Sequence, residues 1–307
     1  MNTLAGRDIL SMADFTAAEI YALLDLARQY KRGHTTPTAQ GRVLGLLFTK
    51  ASTRTRVSFA VAMMRLGGQV IDLNPSTTQM GRGEPLADTA RVLDRYLDVL
   101  AIRTFAQADV VAFAEWAQMP VINALTDREH PCQVLADLLT VQECFGQLRG
   151  LKMAYLGDGN NVSHSLMLGC ALVGITLTVA TPPQHPPAPD IVQQAQALAA
   201  TPGQITHTHD PEAAVAQAQV VYTDVWASMG QEAENQVRIP RFQPYQVNEA
   251  LLQKADPQAI VLHCLPAHRG EEITETVLEG RQSRVWDQAE NRLHAQQALL
   301  AQVLGLV

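Results

Sequence analysis

Short apolar segments alternate with helix-like segments along most of the chain, and this alternation is the feature that most limits its fold. Each apolar segment is short enough for a buried strand and is separated from the next by an amphipathic stretch. Strand, helix, strand at this rhythm is typical of a parallel sheet covered by helices on both faces. The pattern predicts strands at 43–48, 70–73, 99–102 and 121–124, and it restarts at Leu151 with strands at 151–156, 175–180, 220–223 and 260–263.

The restart predicts an α/β protein with two doubly wound parallel-sheet domains joined by helices. The length of 307 residues agrees with about two domains. We expect a first domain over 1–130, an interdomain helix and linker over 131–150, and a second domain over 151–286. A last amphipathic helix over 287–307 has no strand after it, so the pattern alone lets it pack on either half.

Composition narrows the classes of partner. The chain has 23 Lys and Arg residues against 30 Asp and Glu residues, a net charge of −7. Without a basic block, a nucleic-acid or anionic-membrane partner is disfavoured. Charged residues make up only 17% of the chain, below the roughly 25% typical of soluble domains. Either the surface depends on Gln, Thr and Ala, or part of it is buried against other subunits.

The four cysteines and the N-terminal residues indicate the compartment. No two cysteines form a Cys-x-x-Cys pair, so neither a zinc site nor a disulfide framework is predicted. The sequence MNTLAGRDIL has no charged region followed by an apolar stretch, and no apolar run reaches about 18 residues. We therefore expect a cytoplasmic protein with no secretory signal and no transmembrane helix.

The segment Ser52-Thr53-Arg54-Thr55-Arg56 lies where a predicted strand ends and a helix begins. The free N–H groups and positive dipole of a helix start favour an anion. Three hydroxyls and two guanidinium groups suit a phosphate, because arginine binds phosphate in a bidentate manner. The alternative is a capped helix with a solvated arginine pair. The glycines of a Walker motif are absent, so ATP is disfavoured.

Two further segments follow predicted strands of the first half. Arg103 comes just after one strand, and His130-Pro131-Cys132-Gln133 begins the long helix at 131–145. A neutral imidazole can donate to a carbonyl oxygen, and a glutamine amide can bind an NH₂ group. Taken locally, a buried capping histidine and a surface arginine are the simpler interpretations. Ligands of open α/β sheets bind at the carboxyl ends of strands, which favours a site here.

The second half carries a glycine-rich turn, Gly157-Asp-Gly159-Asn160-Asn161. It resembles a dinucleotide fingerprint only superficially. Val162 stands at the third glycine position, and the next strand lacks the acid that binds a ribose. NAD is therefore disfavoured, and no cofactor is expected.

Two more strand ends carry reactive side chains. Asp224 begins a loop that continues to Ser228-Met229-Gly230, and its carboxylate can neutralise an ammonium group. His263-Cys264-Leu265-Pro266 follows the last predicted strand. The thiol of Cys264 could serve as a nucleophile, as a thiolate base or as a small buried apolar group, which is the usual fate of a free cysteine.

In this order and spacing, the segments resemble the aspartate/ornithine carbamoyltransferase family from end to end. Ser52 to Arg56 matches the family's phosphate motif, and His130 to Gln133 matches its carbamoyl motif. The Asp224 loop and the His263 to Pro266 segment match the ornithine members and are missing from the aspartate members. The resemblance implies that carbamoyl phosphate and L-ornithine give L-citrulline and phosphate, a reaction of arginine metabolism.

The resemblance also implies a role for particular residues. The first domain would bind carbamoyl phosphate, the second would bind ornithine, and the last helix would return to the first. Carbamoyl phosphate is assigned to Ser52, Thr53, Arg54, Thr55, Gln79, Arg103, His130, Gln133, Cys264, Leu265 and Arg292. Ornithine is assigned to Asn161, Asp224, Ser228 and Met229. Catalysis is assigned to Arg103, His130, Asp224 and Cys264, with Cys264 acting either as a base or as a contact.

The resemblance implies a homotrimer with active sites at subunit interfaces, where Gln79 of one subunit reaches into its neighbour's site. No metal is needed for the reaction. Three alternatives stay open on the sequence: a carbamoyltransferase for putrescine, acetylornithine or aspartate, a non-catalytic phosphate-binding homologue, and an NAD-dependent dehydrogenase. The motifs at Ser228-Met229-Gly230 and at Val162 argue against the first and the third.

Overall fold

The computed structural model describes residues 4–34, 38–74, 79, 83–227 and 235–307, with only the backbone of residues 235 and 236. The chain forms two compact units. One consists of Met1–Leu139 with Asn291–Val307, and the other of Thr140–Glu290. Both are α/β units with parallel sheets, as the alternation predicts.

The first unit contains a four-stranded parallel sheet in the order β2-β1-β3-β4. Its strands are β1 (Val43–Phe48), β2 (Gln69–Leu73), β3 (Val99–Arg103) and β4 (Val121–Leu125). Its helices are α1 (Ala17–Lys31), α2 (Thr53–Arg65), α3 (Leu86–Leu93) and α4 (Gln107–Trp116), and α5 (Pro131–Phe145) runs from this unit into the next. All residues of β3 are buried, which places this strand in the core.

The second unit contains a five-stranded parallel sheet in the order β7-β6-β5-β8-β9. Its strands are β5 (Lys152–Leu156), β6 (Thr176–Ala180), β7 (Ile205–Thr208), β8 (Val220–Thr223) and β9 (Ile260–His263). Its helices are α6 (Asn161–Val173), α7 (Pro189–Leu198), α8 (Pro211–Val215), α9 (Asn235–Phe242), α10 (Glu249–Leu252) and α11 (Glu275–Leu278). Helix α12 (Val285–Val303) begins in this unit and continues into the first.

Local sequence explains where the first helix begins and ends. The Thr16 hydroxyl accepts from the Glu19 N–H, and the Glu19 carboxylate accepts from the Thr16 N–H, which completes a capping box. The apolar face of α1 is buried at Ile20 and Leu23. The helix ends at Lys31, and Gly33 follows with a φ of +84°, a backbone conformation that favours glycine.

The end of α12 lies against the N-terminal part of the first unit. Gly6 N donates to Val303 O at 2.9 Å, and Lys31 Nζ donates to Asn291 Oδ1 at 2.8 Å. These contacts hold the C-terminal residues beside α1. No helix in the described ranges is long and apolar enough to cross a membrane.

Two elements differ from the sequence-based prediction. Strand β7 was not predicted, because its residues Thr206, His207 and Thr208 are polar and half-buried at the edge of the sheet. The alternation also predicts a helix over 85–97, but helix α3 ends at Leu93. The N–H groups of Arg95 and Tyr96 bond three residues back, so the chain tightens into a turn before β3.

Candidate active site

Two segments predicted to bind phosphate meet at adjacent strand ends of the first unit. Phe48 at the end of β1 pairs in register with Arg103 at the end of β3. Thr49 N donates to Arg103 O at 2.9 Å, which fixes the chain just before Ser52. Because both strands run in the same direction, the Ser52–Thr55 segment and Arg103 lie at the same edge of the sheet, as predicted.

Buried guanidinium groups surround the hydroxyl of Thr55. Arg292 Nη2 donates to Thr55 Oγ1 at 2.9 Å, and Arg103 Nη1 lies 3.5 Å from the same oxygen. Arg292 Nη1 donates to Gln133 Oε1 at 2.5 Å, and Gln133 Nε2 donates to Asp137 Oδ1 at 2.8 Å. Four predicted side chains from α2, β3, α5 and α12 are therefore connected by hydrogen bonds. The concentrated positive charge of this group suits a dianionic ligand.

His130 lies in the same positive environment. It is buried, and burial lowers its pKa well below the usual value because the imidazolium loses its hydration. The guanidinium groups of Arg292, Arg103 and Arg54 lower the pKa further by repulsion. The imidazole is therefore neutral at pH 7, the form that can donate one N–H to a carbonyl oxygen while remaining uncharged.

The outer part of the phosphate motif is more accessible. Thr53 and Arg54 are exposed and Ser52 is half-buried. Ser52 precedes α2 in an extended conformation, and its side chain makes no capping bond, so it does not occupy the first N–H groups of the helix. Arg56, however, forms an ion pair with Asp72 and lies over the Phe48 ring. Arg54, and not Arg56, is therefore the arginine of this motif that is suited to an anion.

Gln79 is exposed, and the residues on both sides of it lie outside the described ranges. Its expected role at a neighbouring subunit's site stays a prediction. Ser228 and Met229, the predicted ligands of ornithine, also lie outside the described residues.

The second unit brings Asp224 and Cys264 together at the ends of β8 and β9. Cys264 Sγ donates to Asp224 Oδ1 at 2.9 Å, and Val225 N donates to the same oxygen at 2.8 Å. Asn160 Nδ2 donates to Asp224 Oδ2 at 2.8 Å. Asp224 is buried, so these donors replace the water that a carboxylate would otherwise bind. A buried, fixed carboxylate of this kind can hold an ammonium group.

Asn160 was not among the predicted site residues, although the turn that contains it was. Its Oδ1 accepts from the N–H groups of Val162 and Ser163 at 3.0 and 3.2 Å, and from the Tyr155 hydroxyl at 3.2 Å. Burial raises the pKa of Tyr155 well above its usual value, so the phenol keeps its proton and remains a donor. Asn160 thus caps α6 with its oxygen and directs its NH₂ group at Asp224. Asn161 is half-buried at the first position of α6.

His263 supports the turn that carries Cys264. His263 Nε2 lies 2.9 Å from Glu272 Oε1 in a fully buried pair, and Leu265 N donates to His263 Nδ1 at 2.8 Å. Both ring nitrogens of His263 are thus engaged by groups other than the Cys264 thiol, which does not fit a Cys–His nucleophile. The expected contact of the Cys264 and Leu265 carbonyl oxygens with a carbamoyl group stays a prediction.

Asp224, His263 and Cys264 are residue types that can bind a metal ion. Their donor atoms lie within 4.8 Å of one another. Both ring nitrogens of His263 are already engaged by Glu272 and by the Leu265 N–H. The trio therefore does not fit a metal ion without rearrangement of His263.

Two family models match this chain, one over each half of the sequence. The carbamoyl-phosphate-binding domain model of the aspartate/ornithine carbamoyltransferases matches residues 7–143, and the Asp/Orn-binding domain model matches residues 149–303. The chain belongs to the aspartate/ornithine carbamoyltransferase family. The resemblance and the fold class predicted from the sequence are confirmed.

Three similar proteins are ornithine carbamoyltransferases. Ornithine carbamoyltransferase from Thermosynechococcus vestitus is 66% identical over 304 residues, which cover 99% of this chain and 98% of that protein. The solved structure of ornithine carbamoyltransferase from Pyrococcus furiosus matches with a TM-score of 0.95 and 49% identity, covering 99% of each chain. The enzyme of the same name from Gloeobacter violaceus matches with a TM-score of 0.87 and 55% identity, covering 97% of this chain and 98% of that one.

Proposed function

We propose that each of the two units binds one of the two substrates of a transfer reaction. The chain catalyses transfer of the carbamoyl group of carbamoyl phosphate to the side-chain amine of L-ornithine, which gives L-citrulline and phosphate. The side-chain ammonium first loses one proton, and the free amine nitrogen then attacks the carbamoyl carbon. The bond from that carbon to the phosphate oxygen breaks, and the leaving phosphate takes the second proton from the nitrogen. In our proposal the first unit binds carbamoyl phosphate and the second binds ornithine.

Carbamoyl phosphate binds at the ends of β1 and β3. The phosphate is held by Ser52, Thr53, Arg54 and Thr55 with the first N–H groups of α2, while Arg103 and Arg292 supply the buried positive charge. Arg103, Thr55 and His130 donate to the carbonyl oxygen as it gains negative charge. Preorganised donors of this kind usually make the largest contribution to catalysis. The bonds that join Thr55 to both guanidinium groups support this assignment.

L-Ornithine binds beside Asp224 and Cys264. The Asp224 carboxylate attracts the side-chain ammonium, while Asn161, Ser228 and Met229 bind the α-amino and α-carboxylate groups. The observation that supports this assignment most strongly is the Asp224 carboxylate, which is buried and fixed by the Cys264 thiol and the Asn160 amide. Proximity and orientation of the two bound substrates lower the activation barrier by about 7–11 kcal/mol.

We also propose that the chain forms a homotrimer, in which Gln79 reaches a neighbouring subunit's site. Exposed apolar side chains support an interface on α2 and the edge strand β2: Val57, Met64 and Ile71 are each about half exposed. Val57 and Met64 lie seven positions apart and so share one face of α2, and exposed apolar groups on one face are typical of a protein interface. Light scattering should give three times the mass of the 33.5 kDa chain.

We propose a cytoplasmic location. The cysteines at positions 132, 144, 170 and 264 are all free thiols, which suits a reducing compartment.

Acceptor specificity tests the function. Citrulline formation from L-ornithine should exceed carbamoylation of putrescine, N-acetylornithine and L-aspartate at equal concentration, because only the first combines a side-chain amine with free α-amino and α-carboxylate groups. Equal rates with L-ornithine and putrescine would indicate a carbamoyltransferase that acts on a related amine. Absence of carbamoyl transfer to every acceptor would favour a phosphate-binding homologue without activity.

A further inference from the structure

Arg238 is a buried cation of the second unit that the proposed site does not include. Its Nε donates to Trp226 O at 2.6 Å, and its Nη2 lies 2.6 Å from Asp158 Oδ2. The guanidinium carbon also lies 5.0 Å from the centre of the Phe242 ring. Only 4% of Arg238 is exposed. A buried guanidinium is costly unless it is paired, and Asp158 supplies the paired charge.

Asp158 shares its surroundings with a second carboxylate. Burial raises the pKa of Asp158 to about 6, Arg238 opposes this rise, and Asp224 adds to it by repulsion. The other titratable groups that face Asp158 are His185, whose Nδ1 lies 3.9 Å from Oδ1, and Tyr155. Arg238 is thus the cation that keeps Asp158 ionised near neutral pH.

Asn160 connects Asp158 to Asp224. The backbone N–H of Asn160 donates to the backbone oxygen of Asp158 at 2.8 Å, and the Asn160 side chain donates to Asp224 Oδ2 at 2.8 Å. The backbone of Asp158 is therefore bonded to the residue whose side-chain amide donates to Asp224. Arg238 contacts both Asp158 and Trp226, and Trp226 follows Asp224 by two residues.

We propose that Arg238 is a positioning residue for ornithine binding, which acts through Asp158 and Asn160 to hold the Asp224 carboxylate in place. Arg238 and Asp158 do not touch the substrate in this proposal. It rests on the assignment of Asp224 to ornithine.

The test compares Arg238→Gln, Asp158→Asn and the double variant with the wild type. We expect each single variant to raise the KM for ornithine about 10-fold, because breaking a buried ion pair leaves one partner uncompensated. The KM for carbamoyl phosphate should stay within about 2-fold, since the variants leave the first unit unchanged. The double variant should bind ornithine better than Arg238→Gln alone, because it removes the buried carboxylate together with its cation.

The pH profile separates positioning from simple stability. In Arg238→Gln, the acid limb of kcat/KM for ornithine should move upward by about one pH unit, because Asp158 loses the cation that lowers its pKa. Arg241→Gln, an exposed arginine of the same helix, is the matched control and should change neither KM nor the profile. Thermal unfolding followed by circular dichroism verifies that each variant is folded.

Three outcomes would overturn the proposal. The first is an unchanged KM for ornithine in folded Asp158→Asn, which remains informative if Arg238→Gln does not fold. The second is a loss of kcat in the single variants with neither KM nor the acid limb altered, which indicates a structural role. The third is an unchanged KM for ornithine in Asp224→Asn, which refutes the assignment of Asp224 as well. If Asp224→Asn raises the KM for ornithine but the Arg238 and Asp158 variants do not, only the role of Arg238 is refuted.

Discussion

The Arg292 guanidinium donates to the Thr55 hydroxyl at 2.9 Å, although the two residues lie 237 positions apart in the chain. The same guanidinium donates to Gln133, so residues from three distant segments share one hydrogen-bonded group. The C-terminal helix therefore does more than cover the first unit, because it supplies a cation to the end of the sheet.

Replacing Arg292 should weaken carbamoyl-phosphate binding and the fold together. In Arg292→Met, we expect the KM for carbamoyl phosphate to rise at least 10-fold, because a charge-assisted hydrogen bond contributes about 1.5–3 kcal/mol. The buried Gln133 oxygen also loses its donor, which costs about 1–3 kcal/mol of stability. Steady-state kinetics and denaturant unfolding measure the two effects.

Arg32→Met, at an exposed position after α1, is the control for Arg292→Met and should leave both quantities unchanged. An unaltered KM for carbamoyl phosphate in Arg292→Met would remove Arg292 from the proposed site.

Most of the fold was predictable because its strands are short apolar runs between amphipathic helices. Strand β1 at Val43–Phe48 and helix α5 at Pro131–Phe145 have the predicted bounds. Strand β7 was missed since an edge strand needs few apolar residues: Ile205 is buried, and the three residues after it are only half-buried. Its identity as a strand comes from pairing with β6, which periodicity does not reveal.

The residues of the candidate site were predictable where they fall in short motifs at strand ends. Thr55, Arg103, Asp224 and Cys264 occupy such positions. The ion pair of Asp158 with Arg238 joins residues on separate elements, and no local pattern indicates it. At Arg56 the motif was misleading. Its guanidinium was predicted to face phosphate, but it is paired with Asp72 on strand β2.

Asp224→Asn should act mainly on ornithine. The substitution removes the negative charge that is proposed to hold the ammonium, so kcat/KM for ornithine should fall about 100-fold, since a hydrogen bond between charged groups contributes about 1.5–3 kcal/mol. The KM for carbamoyl phosphate should not change. Asp190→Asn, at an exposed position in α7, serves as the control. Equal loss of affinity for both substrates would contradict a specific role at the amine.

The four thiols should differ in reactivity. Cys144 is exposed and Cys264 is half-buried, whereas Cys132 and Cys170 are buried. Burial raises the pKa of Cys132 to about 12, so this thiol remains protonated at pH 8. A disulfide reagent at pH 8 should therefore modify two thiols in the native protein and the other two only after denaturation.

Bound ornithine should protect Cys264 from the thiol reagent, which tests whether Cys264 lies at the ornithine site. Added with carbamoyl phosphate or phosphate, ornithine should slow the modification of Cys264 and leave Cys144 unaffected. In Cys144→Ser, one reactive thiol should remain, and ornithine should protect it. If ornithine protects neither thiol, Cys264 does not lie at the ornithine site.

Gly159 should be intolerant of a side chain. A Cβ at this position would lie 2.3 Å from the backbone carbon of Pro186 and from the nitrogen of Pro187, too close for any contact. Gly159→Ala must shift the turn that carries Asn160, so we expect a loss of stability of about 1–3 kcal/mol and a raised KM for ornithine. A Gly159→Ala variant that is as stable as the wild type in denaturant unfolding would contradict the clash.

The neutral state of His130 should appear in the pH dependence of stability. Burial and three guanidinium groups hold the pKa of folded His130 well below 6.5, so the unfolded chain takes up a proton below about pH 6.5 that the folded chain does not. Unfolding free energy should therefore decrease on acidification below this pH, by up to about 1.4 kcal/mol per pH unit from His130 alone. His130→Gln should remove that part of the slope between pH 6.5 and 5, whereas His34→Gln, at an exposed position, should not. Denaturant unfolding at several pH values measures the slopes, and equal slopes in wild type and His130→Gln would mean that the folded protein protonates His130 as readily as the unfolded chain.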